Sequence, residues 1–372
     1  MTRPRSADAA FMERALFLAE RGRGRTSPNP IVGAVIVSPD GVVVGQGAHL
    51  QAGTPHAEIH ALEAAGSRAR GATLFCTLEP CNHAGRTGPC SHAIAAAQVA
   101  RVVVAIEDPN PLVAGSGLAY LRSRGISVTQ GEGREEASRQ NAPFFTWITK
   151  RRPFVIMKAV MSVDGFVGRP DTRIMLTGRE SDRWFHRQRA EVDAIAVGST
   201  TVLVDDPMLT PRMVYRERPL TRVVFDRRGR VPSAARLFST LAAGPVIMIV
   251  SERTRRDDRE RLDDLARRGV TIDASDDGLP ETLQRLARQG IVSLLLEGGA
   301  TLQQAFCEAD LVDRVQVVTT PHLIGSGVAA PEALRTMSRG SVGPERGLES
   351  GSRGRVALGA DVLEEFDVHR AD

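Results

Sequence analysis

Residues 73–90 read TLFCTLEPCNHAGRTGPC, an apolar stretch that runs into two cysteines separated by eight residues. Its first part, residues 73–78, has the length and apolar character of a buried β-strand. A helix is predicted before it, near residues 57–65, and another after it, near residues 91–97. Because strands that alternate with helices form sheets covered on both faces, the stretch indicates an α/β fold.

The alternation continues on both sides of this stretch. Residues 8–20 predict an amphipathic helix, and the apolar runs 31–37 and 42–44 predict a hairpin of buried strands. Farther along, the sequence predicts a strand at 101–106, a helix near 118–122 and a strand at 126–128. The polar segment 131–140 is expected to be a connector.

The length of 372 residues predicts two domains, because one hydrophobic core rarely serves so long a chain. We place the first at residues 1–145 and the second at residues 146–372. The second is also predicted to be α/β, with strands at 154–160, 193–197, 222–225, 246–250, 292–296 and 314–318. A Gly-, Ser- and Arg-rich loop is expected at 332–354, before a last strand at 361–368.

Composition limits the classes of function. Hydrophobic residues make up 42% and charged residues 25% of the chain, and no apolar run has the length of a membrane span. The N-terminus shows no signal-peptide core, and four cysteines are too few for a disulfide scaffold, so we expect a soluble, cytoplasmic protein. The formal charge of +4 comes from scattered arginines, which suit a phosphorylated small molecule better than a nucleic acid.

The strongest chemical signal is a set of three metal-ligand residues. His56 stands at the start of a predicted helix, and Cys81 and Cys90 follow the strand at 73–78. One imidazole and two thiolates would hold Zn²⁺ and leave the fourth tetrahedral position to water, as in catalytic zinc sites. Such a water ionises near neutral pH.

Glu58 lies two residues after the histidine, where it is free to carry a proton from the zinc-bound water to a leaving amine. His-x-Glu followed by Pro-Cys and a second cysteine is the general signature of zinc deaminases that act on nucleobases. We exclude four neighbouring residues from the metal shell, since three ligands are already supplied: His60, Cys76, His83 and His92.

The first domain resembles the deaminase half of the bifunctional riboflavin biosynthesis proteins, which deaminate a diaminopyrimidine and then reduce its ribosyl side chain. The resemblance rests on TSPNPIVG at 26–33, GAH at 47–49, HAE at 56–58, TLEPC at 77–81, GRTGPC at 85–90 and DPNP at 108–111. The second domain resembles the reductase half through SVDG at 162–165, the run 189–212, EGGAT at 297–301 and PHLIG at 321–325. The resemblance implies a cytidine-deaminase-like three-layer α/β/α domain followed by a dihydrofolate-reductase-like α/β domain.

The same resemblance implies roles for individual residues, with Zn²⁺ and NADPH as cofactors and phosphoribosylaminopyrimidines as substrates. The implied substrate contacts are Asn29, His49, Arg86 and Asp108 in the first domain and Arg189, Leu209, Arg212 and Glu297 in the second. The implied cofactor contacts are Val160, Thr201, Asp205, Gly298, Gly299, Ala300 and Thr301. Asn29 and Asp108 also stand beside prolines, where they would shape turns. Family members often form dimers or tetramers, so a homo-oligomer is expected.

Two features of the second domain stay open at this stage. Lys158 either assists the reduction or is a buried cation paired with a carboxylate such as Glu297. Family members commonly carry Ser-x-Trp-Ile-Thr where this chain has Arg173-Ile-Met-Leu-Thr177. Arg173 is able to reach a phosphate and Met175 to pack on a ring, so we expect activity with altered affinity.

Two rival hypotheses remain. A deaminase of this kind could act on a nucleotide or a tRNA base, but its cysteines are then usually separated by two residues and not by eight. The second domain could also be a noncatalytic ligand-binding or oligomerisation module, which would fail to bind NADPH. We favour the bifunctional enzyme.

Overall fold

A computed structural model describes residues 7–83, 88–111, 113–169, 172, 174–332, 334 and 348–370. The chain divides into two units, Met1–Arg151 and Arg152–Asp372. The predicted boundary after residue 145 falls inside a helix, Ala142–Lys150, so the first unit extends to the end of that helix. Phe144 of this helix is buried and lines a cavity of the first unit, which explains why the helix belongs there.

The first unit contains a mixed sheet of five strands in the order β2-β1-β3-β4-β5. Strand β1 runs antiparallel to its neighbours β2 and β3, whereas β3, β4 and β5 are parallel. The bounds are β1 Gly33–Val37, β2 Val43–Ala48, β3 Thr73–Cys76, β4 Arg101–Val104 and β5 Ser127–Gln130. Each of the predicted strands of this unit is therefore present.

Helices cover both faces of this sheet. They are α1 Ala7–Ala19, α2 Ala57–Ala65, α3 Cys90–Ala96, α4 Ser116–Ser123, α5 Arg134–Gln140 and α6 Ala142–Lys150. Side chains on a strand alternate between faces. Ala34 and Leu74 accordingly pack with α2, α3 and α4, while Val35 and Phe75 pack with α1 and α5. The result is the three-layer α/β/α arrangement that the sequence predicted.

The connector predicted at 131–140 is wrong, because most of it forms α5. Only Ala137 and Gln140 of this helix are buried, and the remaining side chains are charged or polar. Ala137 packs among the residues of α1, and the Gln140 amide donates to the carbonyl of Leu16 at 3.2 Å. So narrow a buried face leaves no apolar periodicity for sequence analysis to detect.

The second unit contains a sheet of nine strands in the order β11-β10-β9-β8-β12-β6-β13-β16-β15. The strands from β11 to β13 are parallel, and β16 and β15 add an antiparallel edge. A two-stranded ribbon, β7 with β14, completes it. The bounds are β6 Phe154–Ser162, β7 Phe166–Gly168, β8 Ala194–Gly198, β9 Thr221–Phe225, β10 Val246–Val250, β11 Thr271–Ala274, β12 Ser293–Leu296, β13 Arg314–Thr320, β14 Val328–Ala329, β15 Leu348–Leu358 and β16 Asp361–Arg370.

Helices also pack on this larger sheet. They are α7 Arg179–Glu191, α8 Ser199–Asp205, α9 Glu252–Asp257, α10 Arg259–Arg267, α11 Leu279–Arg288 and α12 Ala300–Glu308. Alternate residues of β6, such as Val155 and Met157, face the core that includes α11 and α12. On the other face, Phe185 of α7 packs against Val318 and Leu363. All six strands predicted for this unit are present, together with the last strand.

The loop predicted at 332–354 needs correction at its end. Strand β15 begins at Leu348, inside that segment, and pairs with β16. Residues 335–347 lie outside the described residues. Because a run of Gly, Ser and Arg has little intrinsic preference for β structure, this strand depends on its pairing with β16.

Across the part of the chain that the structure describes, none of the helices is long and apolar enough to cross a membrane.

Candidate deaminase and reductase sites

Residues near the ends of three secondary-structure elements of the first unit lie close together. His56 is the N-cap of α2, Cys81 follows the turn after β3, and Cys90 is the first residue of α3. The Nδ1 atom of His56 lies 3.6 Å from the Sγ of Cys81 and 3.3 Å from the Sγ of Cys90. The three ligand atoms lie within 4.8 Å of one another. Among the described residues, this is the one group of three or more His, Cys, Asp or Glu side chains with such spacing.

The position of His56 depends on close packing between α2 and strand β2. A Cβ atom at Gly47 would lie 2.3 Å from the carbonyl oxygen of Ala57. Any larger residue would push the first turn of α2 away from the sheet, and His56 and Glu58 with it. The glycine predicted to belong to the family motif is thus needed for this approach.

Glu58 is the acidic residue of the first turn of α2, and its side chain is 3% exposed. Burial disfavours the charged form of the carboxyl and raises its pKa to about 7. Its Oε2 atom has no hydrogen-bond partner among the described residues. A buried carboxyl oxygen without a partner calls for a donor, and a water held at the His-Cys-Cys cluster would be one.

The donor set fits a zinc ion. A hydrogen bond from the neighbouring Cys90 lowers the pKa of Cys81 to about 4, while the same pairing raises the pKa of Cys90. A lowered pKa at Cys81 favours the thiolate, which is the form that binds a metal ion. One imidazole and two sulfurs at this spacing supply three of the four ligands of a tetrahedral zinc site, which leaves the fourth coordination position open.

A cavity of about 410 Å³ opens in front of the cluster. Three of the four predicted substrate residues of this unit line it: Asn29, His49 and Asp108. The Nε2 atom of His49 lies 3.3 Å from the Asn29 amide nitrogen, and its Nδ1 lies 3.3 Å from the Pro55 carbonyl. Burial lowers the pKa of His49 and thus favours the neutral form of the ring. Arg86, the fourth predicted residue, lies outside the described residues.

Asp108 lines the same cavity and is 8% exposed, and its Oδ1 accepts from the backbone N–H of Asn110 at 2.8 Å. Burial raises the pKa of its carboxyl to about 6. Glu79 also lines the cavity and is 4% exposed. Glu79 was not among the residues predicted from the sequence, although a carboxylate at the end of an apolar strand is a signal of an organised polar site.

The four residues excluded from the metal shell lie elsewhere. His60 is 3.8 Å from Glu63 on the surface of α2, and His92 stacks on Tyr120. Cys76 is buried in β3. His83 lines the cavity but does not belong to the cluster of ligand atoms.

In the second unit, Glu297 is the centre of a buried ion-pair network. It accepts two hydrogen bonds from Arg189, at 2.7 and 2.6 Å, and lies 3.7 Å from the Nζ of Lys158. Lys158 also lies over the ring of Phe185, 3.8 Å from its centroid. Two of the four substrate residues predicted for this unit, Arg189 and Glu297, are thus brought together, and Lys158 is paired with the carboxylate.

Leu209 and Arg212 lie on a loop beside this network. The backbone N–H of Arg212 donates to Nδ1 of His186, a buried residue of α7, at 3.1 Å. Leu209 is buried and has a φ of 56°, in the left-handed region. His186 was not among the predicted residues, because its partner is a backbone group on a loop that is distant in sequence.

The predicted cofactor contacts gather at the ends of neighbouring parallel strands. Thr201 and Asp205 belong to α8, which follows β8, while Gly298, Gly299, Ala300 and Thr301 form the turn from β12 into α12. A Cβ on Gly299 would lie 3.6 Å from the Oγ1 of Thr201, so the first turn of helix α8 faces the turn that precedes α12. Val160 is on β6, packed against the cluster of Phe185. Carboxyl ends of adjacent parallel strands are where α/β proteins bind ligands.

The departure from the family motif is described only in part. The side chain of Met175 is 65% exposed. Arg173 lies outside the described residues.

Comparison with known proteins agrees with this geometry. The family described as the cytidine and deoxycytidylate deaminase zinc-binding region matches residues 5–106, and the RibD C-terminal domain family matches residues 153–337. The riboflavin biosynthesis protein RibD of Aquifex aeolicus is 40% identical over 327 residues, which are 87% of this chain and 90% of that protein. The chain belongs to the RibD family.

Other members of the RibD family support the assignment. The Escherichia coli RibD is 39% identical over 86% of this chain and 89% of its own length. The solved structure of Acinetobacter baumannii RibD matches with a TM-score of 0.84 and 34% identity, covering 98% of this chain and 99% of that one. The diaminohydroxyphosphoribosylaminopyrimidine deaminase/5-amino-6-(5-phosphoribosylamino)uracil reductase of Thermotoga maritima matches with a TM-score of 0.83 and 30% identity, over 98% and 99% of the chains.

Membership in the RibD family confirms the predicted fold class and the predicted function. The first unit is a zinc-binding deaminase domain of the cytidine-deaminase type, and the second is a RibD reductase domain of the dihydrofolate-reductase type. The chain is a bifunctional deaminase and reductase of riboflavin biosynthesis.

Proposed function

We propose that the first unit removes the 2-amino group of 2,5-diamino-6-(5-phosphoribosylamino)pyrimidin-4-one and that the second reduces the ribosyl chain of the product to ribityl with NADPH. One observation carries the deaminase proposal. The ligand atoms of His56, Cys81 and Cys90 converge beside a cavity that His56, Cys81 and Glu58 line. The reaction consumes water and releases ammonia.

In this proposal His56, Cys81 and Cys90 would hold Zn²⁺, and the ion, when bound, would supply a water that ionises near neutral pH. The role of Glu58 would be to take up a proton at its Oε2 atom, which has no partner among the described residues, and to deliver it to the departing amine. A carboxyl with a pKa of about 7 is suited to taking up and releasing a proton at neutral pH.

The cavity walls suggest how the pyrimidine is held. The Asn29 amide and the neutral imidazole of His49 can exchange hydrogen bonds with the edge of the ring, and the Asp108 carboxylate can accept from its amino groups. Arg86, on the segment between the two cysteines, is proposed to bind the phosphate. In this arrangement the polar side chains of the cavity would bind the polar edge of the pyrimidine, and the arginine would bind the phosphate.

In the second unit, we assign the ribose phosphate to Arg212 and Arg189. Glu297 occupies the Nε and Nη2 atoms of Arg189, which fixes the plane of that guanidinium and leaves its remaining N–H groups for an anion. The facing turns at Thr201 and Gly299 offer backbone N–H groups to NADPH, which when bound supplies the hydride. Val160, Asp205, Gly298, Ala300 and Thr301 are proposed as its further contacts.

Glu58→Gln tests the proposal with both activities measured on one zinc-loaded sample. Ammonia release from the diaminopyrimidine should fall by at least about a thousandfold, because the amide neither accepts nor delivers the proton. Zinc content should be unchanged, and NADPH consumption with the deaminated intermediate should equal that of the wild type. Deamination that persists would refute the role of Glu58, and absence of NADPH consumption in both proteins would favour a noncatalytic second unit.

A further inference from the structure

Glu79 holds an unusual position in the deaminase unit, because one buried carboxylate binds four backbone N–H groups. Its Oε2 accepts from Asp108 at 3.3 Å and from Gly115 at 3.0 Å. Its Oε1 accepts from Gly117 at 2.9 Å and from Leu118 at 3.3 Å. The donors lie between 29 and 39 residues farther along the chain.

These contacts decide what Glu79 is able to do. A carboxylate has about four acceptor positions, and here backbone donors account for four of them. Although Glu79 lines the cavity, its oxygens are therefore not available to a substrate, and the residue is not part of the metal-ligand cluster. A negative charge at the first turn of α4 is also favourable to that helix.

The backbone around Glu79 strengthens the same connection. The N–H of Glu79 donates to the carbonyl of Ile106 at 3.0 Å. Gly117 packs closely on Pro80, the residue after Glu79. A Cβ atom at position 117 would lie 2.0 Å from the carbonyl oxygen of Pro80. The turn that ends in Cys81 is thus fixed to the segment that carries Asp108.

We propose that Glu79 is a positioning residue that sets the place of Asp108 relative to the metal-binding turn. It acts through Asp108 and does not itself contact substrate, so the inference rests on the proposed contact between Asp108 and the pyrimidine. The metal ligand Cys81 and the backbone N–H of Asp108 are held by the same short segment. The pyrimidine is therefore held at a fixed distance from the point of attack.

Glu79→Gln is the sharpest perturbation of this arrangement. The amide keeps one oxygen but turns an NH₂ group toward two N–H donors, so one pair of hydrogen bonds is lost and donors face donors. The KM for the diaminopyrimidine should rise about tenfold while kcat stays within about threefold, as expected for lost substrate binding. Zinc content and the reductase rate of the same sample should not change.

Glu107→Gln is the matched control. It makes the same chemical change on an exposed carboxylate that is next to Asp108 in the chain. The one hydrogen bond described for the Glu107 side chain comes from the amide of Gln130 at 3.5 Å. It should leave KM, kcat and zinc content at wild-type values.

A double-mutant cycle separates positioning from a general structural role. In an Asp108→Asn background, Glu79→Gln should change KM by less than about twofold, because the group through which it acts is already removed. An equal rise in both backgrounds, an unchanged KM in the single variant, or loss of zinc or soluble protein from it would overturn the proposal. If Asp108→Asn alone leaves KM unchanged, the substrate contact itself is wrong. If Asp108→Asn raises KM and Glu79→Gln does not, only the positioning role fails.

Discussion

Glu297 shows how one residue can hold two buried cations in place. Burial opposes its ionisation, but the attraction of Arg189 and Lys158 outweighs that cost and holds its pKa at about 2. Burial also lowers the pKa of Lys158, and the carboxylate acts against that change. The sequence left the role of Lys158 open, and the structure shows it in an ion pair with Glu297 and over the Phe185 ring.

Glu297→Gln should destabilise the second unit by about 3–5 kcal/mol, because two buried cations would lose their counter-charge. Urea unfolding of the full chain, followed by far-ultraviolet circular dichroism, measures the change. Asp257→Asn is the control, since it breaks an ion pair with Arg253 in which both side chains are mostly exposed and should cost under about 1 kcal/mol. Equal effects of the two variants would contradict the argument.

The raised pKa of Asp108 predicts that substrate binding by the deaminase depends on pH. Burial raises the pKa of its carboxyl to about 6, so the side chain is charged above pH 6 and protonated below it. If the charged form accepts from the amino groups of the pyrimidine, KM should rise as pH falls from 7 to 5. A KM profile of Asp108→Asn should lack this rise between pH 5 and 7, and the same slope in both proteins would assign the effect to another group.

The same raised pKa carries a cost in stability. Between pH 4 and 6 the folded protein binds more protons at Asp108 than the unfolded chain does, so this group lowers stability as pH rises through that window. A polar group that weakens the fold is one to expect at a binding site.

Residue types and their spacing were sufficient to predict the zinc-ligand set but not the residues that hold it in place. His56, Cys81 and Cys90 are recognisable because few structural roles need that combination. Glu79 and His186 act on backbone N–H groups far along the chain, and any residue supplies such a group. No side-chain pattern therefore marks their partners.

At the scale of elements, the loop 206–213 is held against its own conformational preference. Asp206, Leu209 and Met213 all have φ between 39° and 60°, where non-glycine residues are strained. The guanidinium of the fully buried Arg222 donates to the carbonyl of Met208 at 3.2 Å, and His186 accepts from the N–H of Arg212. The loop is thus held by hydrogen bonds at Met208, which precedes the predicted substrate residue Leu209, and at the predicted substrate residue Arg212.

His186→Ala should release the Arg212 end of this loop and raise the KM of the reductase for its pyrimidine substrate by about tenfold, the effect of about 1.4 kcal/mol. His186→Asn places an amide oxygen near the position of Nδ1 and should recover most of the loss. Steady-state kinetics with the deaminated intermediate and NADPH decide it. If alanine and asparagine behave alike, the hydrogen bond to Arg212 is not what holds the loop.

Element prediction succeeded where burial leaves a pattern and failed where pairing or a narrow contact makes the element. The strands β3, β6 and β10 are largely apolar and mostly buried, and they were recognised within a few residues. Helix α5 buries only Ala137 and Gln140, and β15 consists largely of small and charged residues. Their stability comes from neighbours that are distant in sequence, which local patterns do not report.

At the scale of the whole molecule, the two chemistries occupy separate units with separate cores. The cluster of metal-ligand residues lies in the first unit, and the described part of the second unit contains none of that kind. The second unit instead brings together arginines, a buried lysine and facing strand-end turns. Metal dependence should therefore belong to one activity alone.

Removal of the metal tests this separation. Dialysis against a strong zinc chelator should lower ammonia release to background, because His56, Cys81 and Cys90 lose the ion that would activate water. NADPH consumption with the deaminated intermediate should stay within about 20% of the untreated rate, since the reductase residues bind anions and not metals. Adding back zinc should restore ammonia release in proportion to the metal bound. A parallel fall of both activities would show that the metal stabilises the second unit as well, and the two units would then have to be treated as one folding unit.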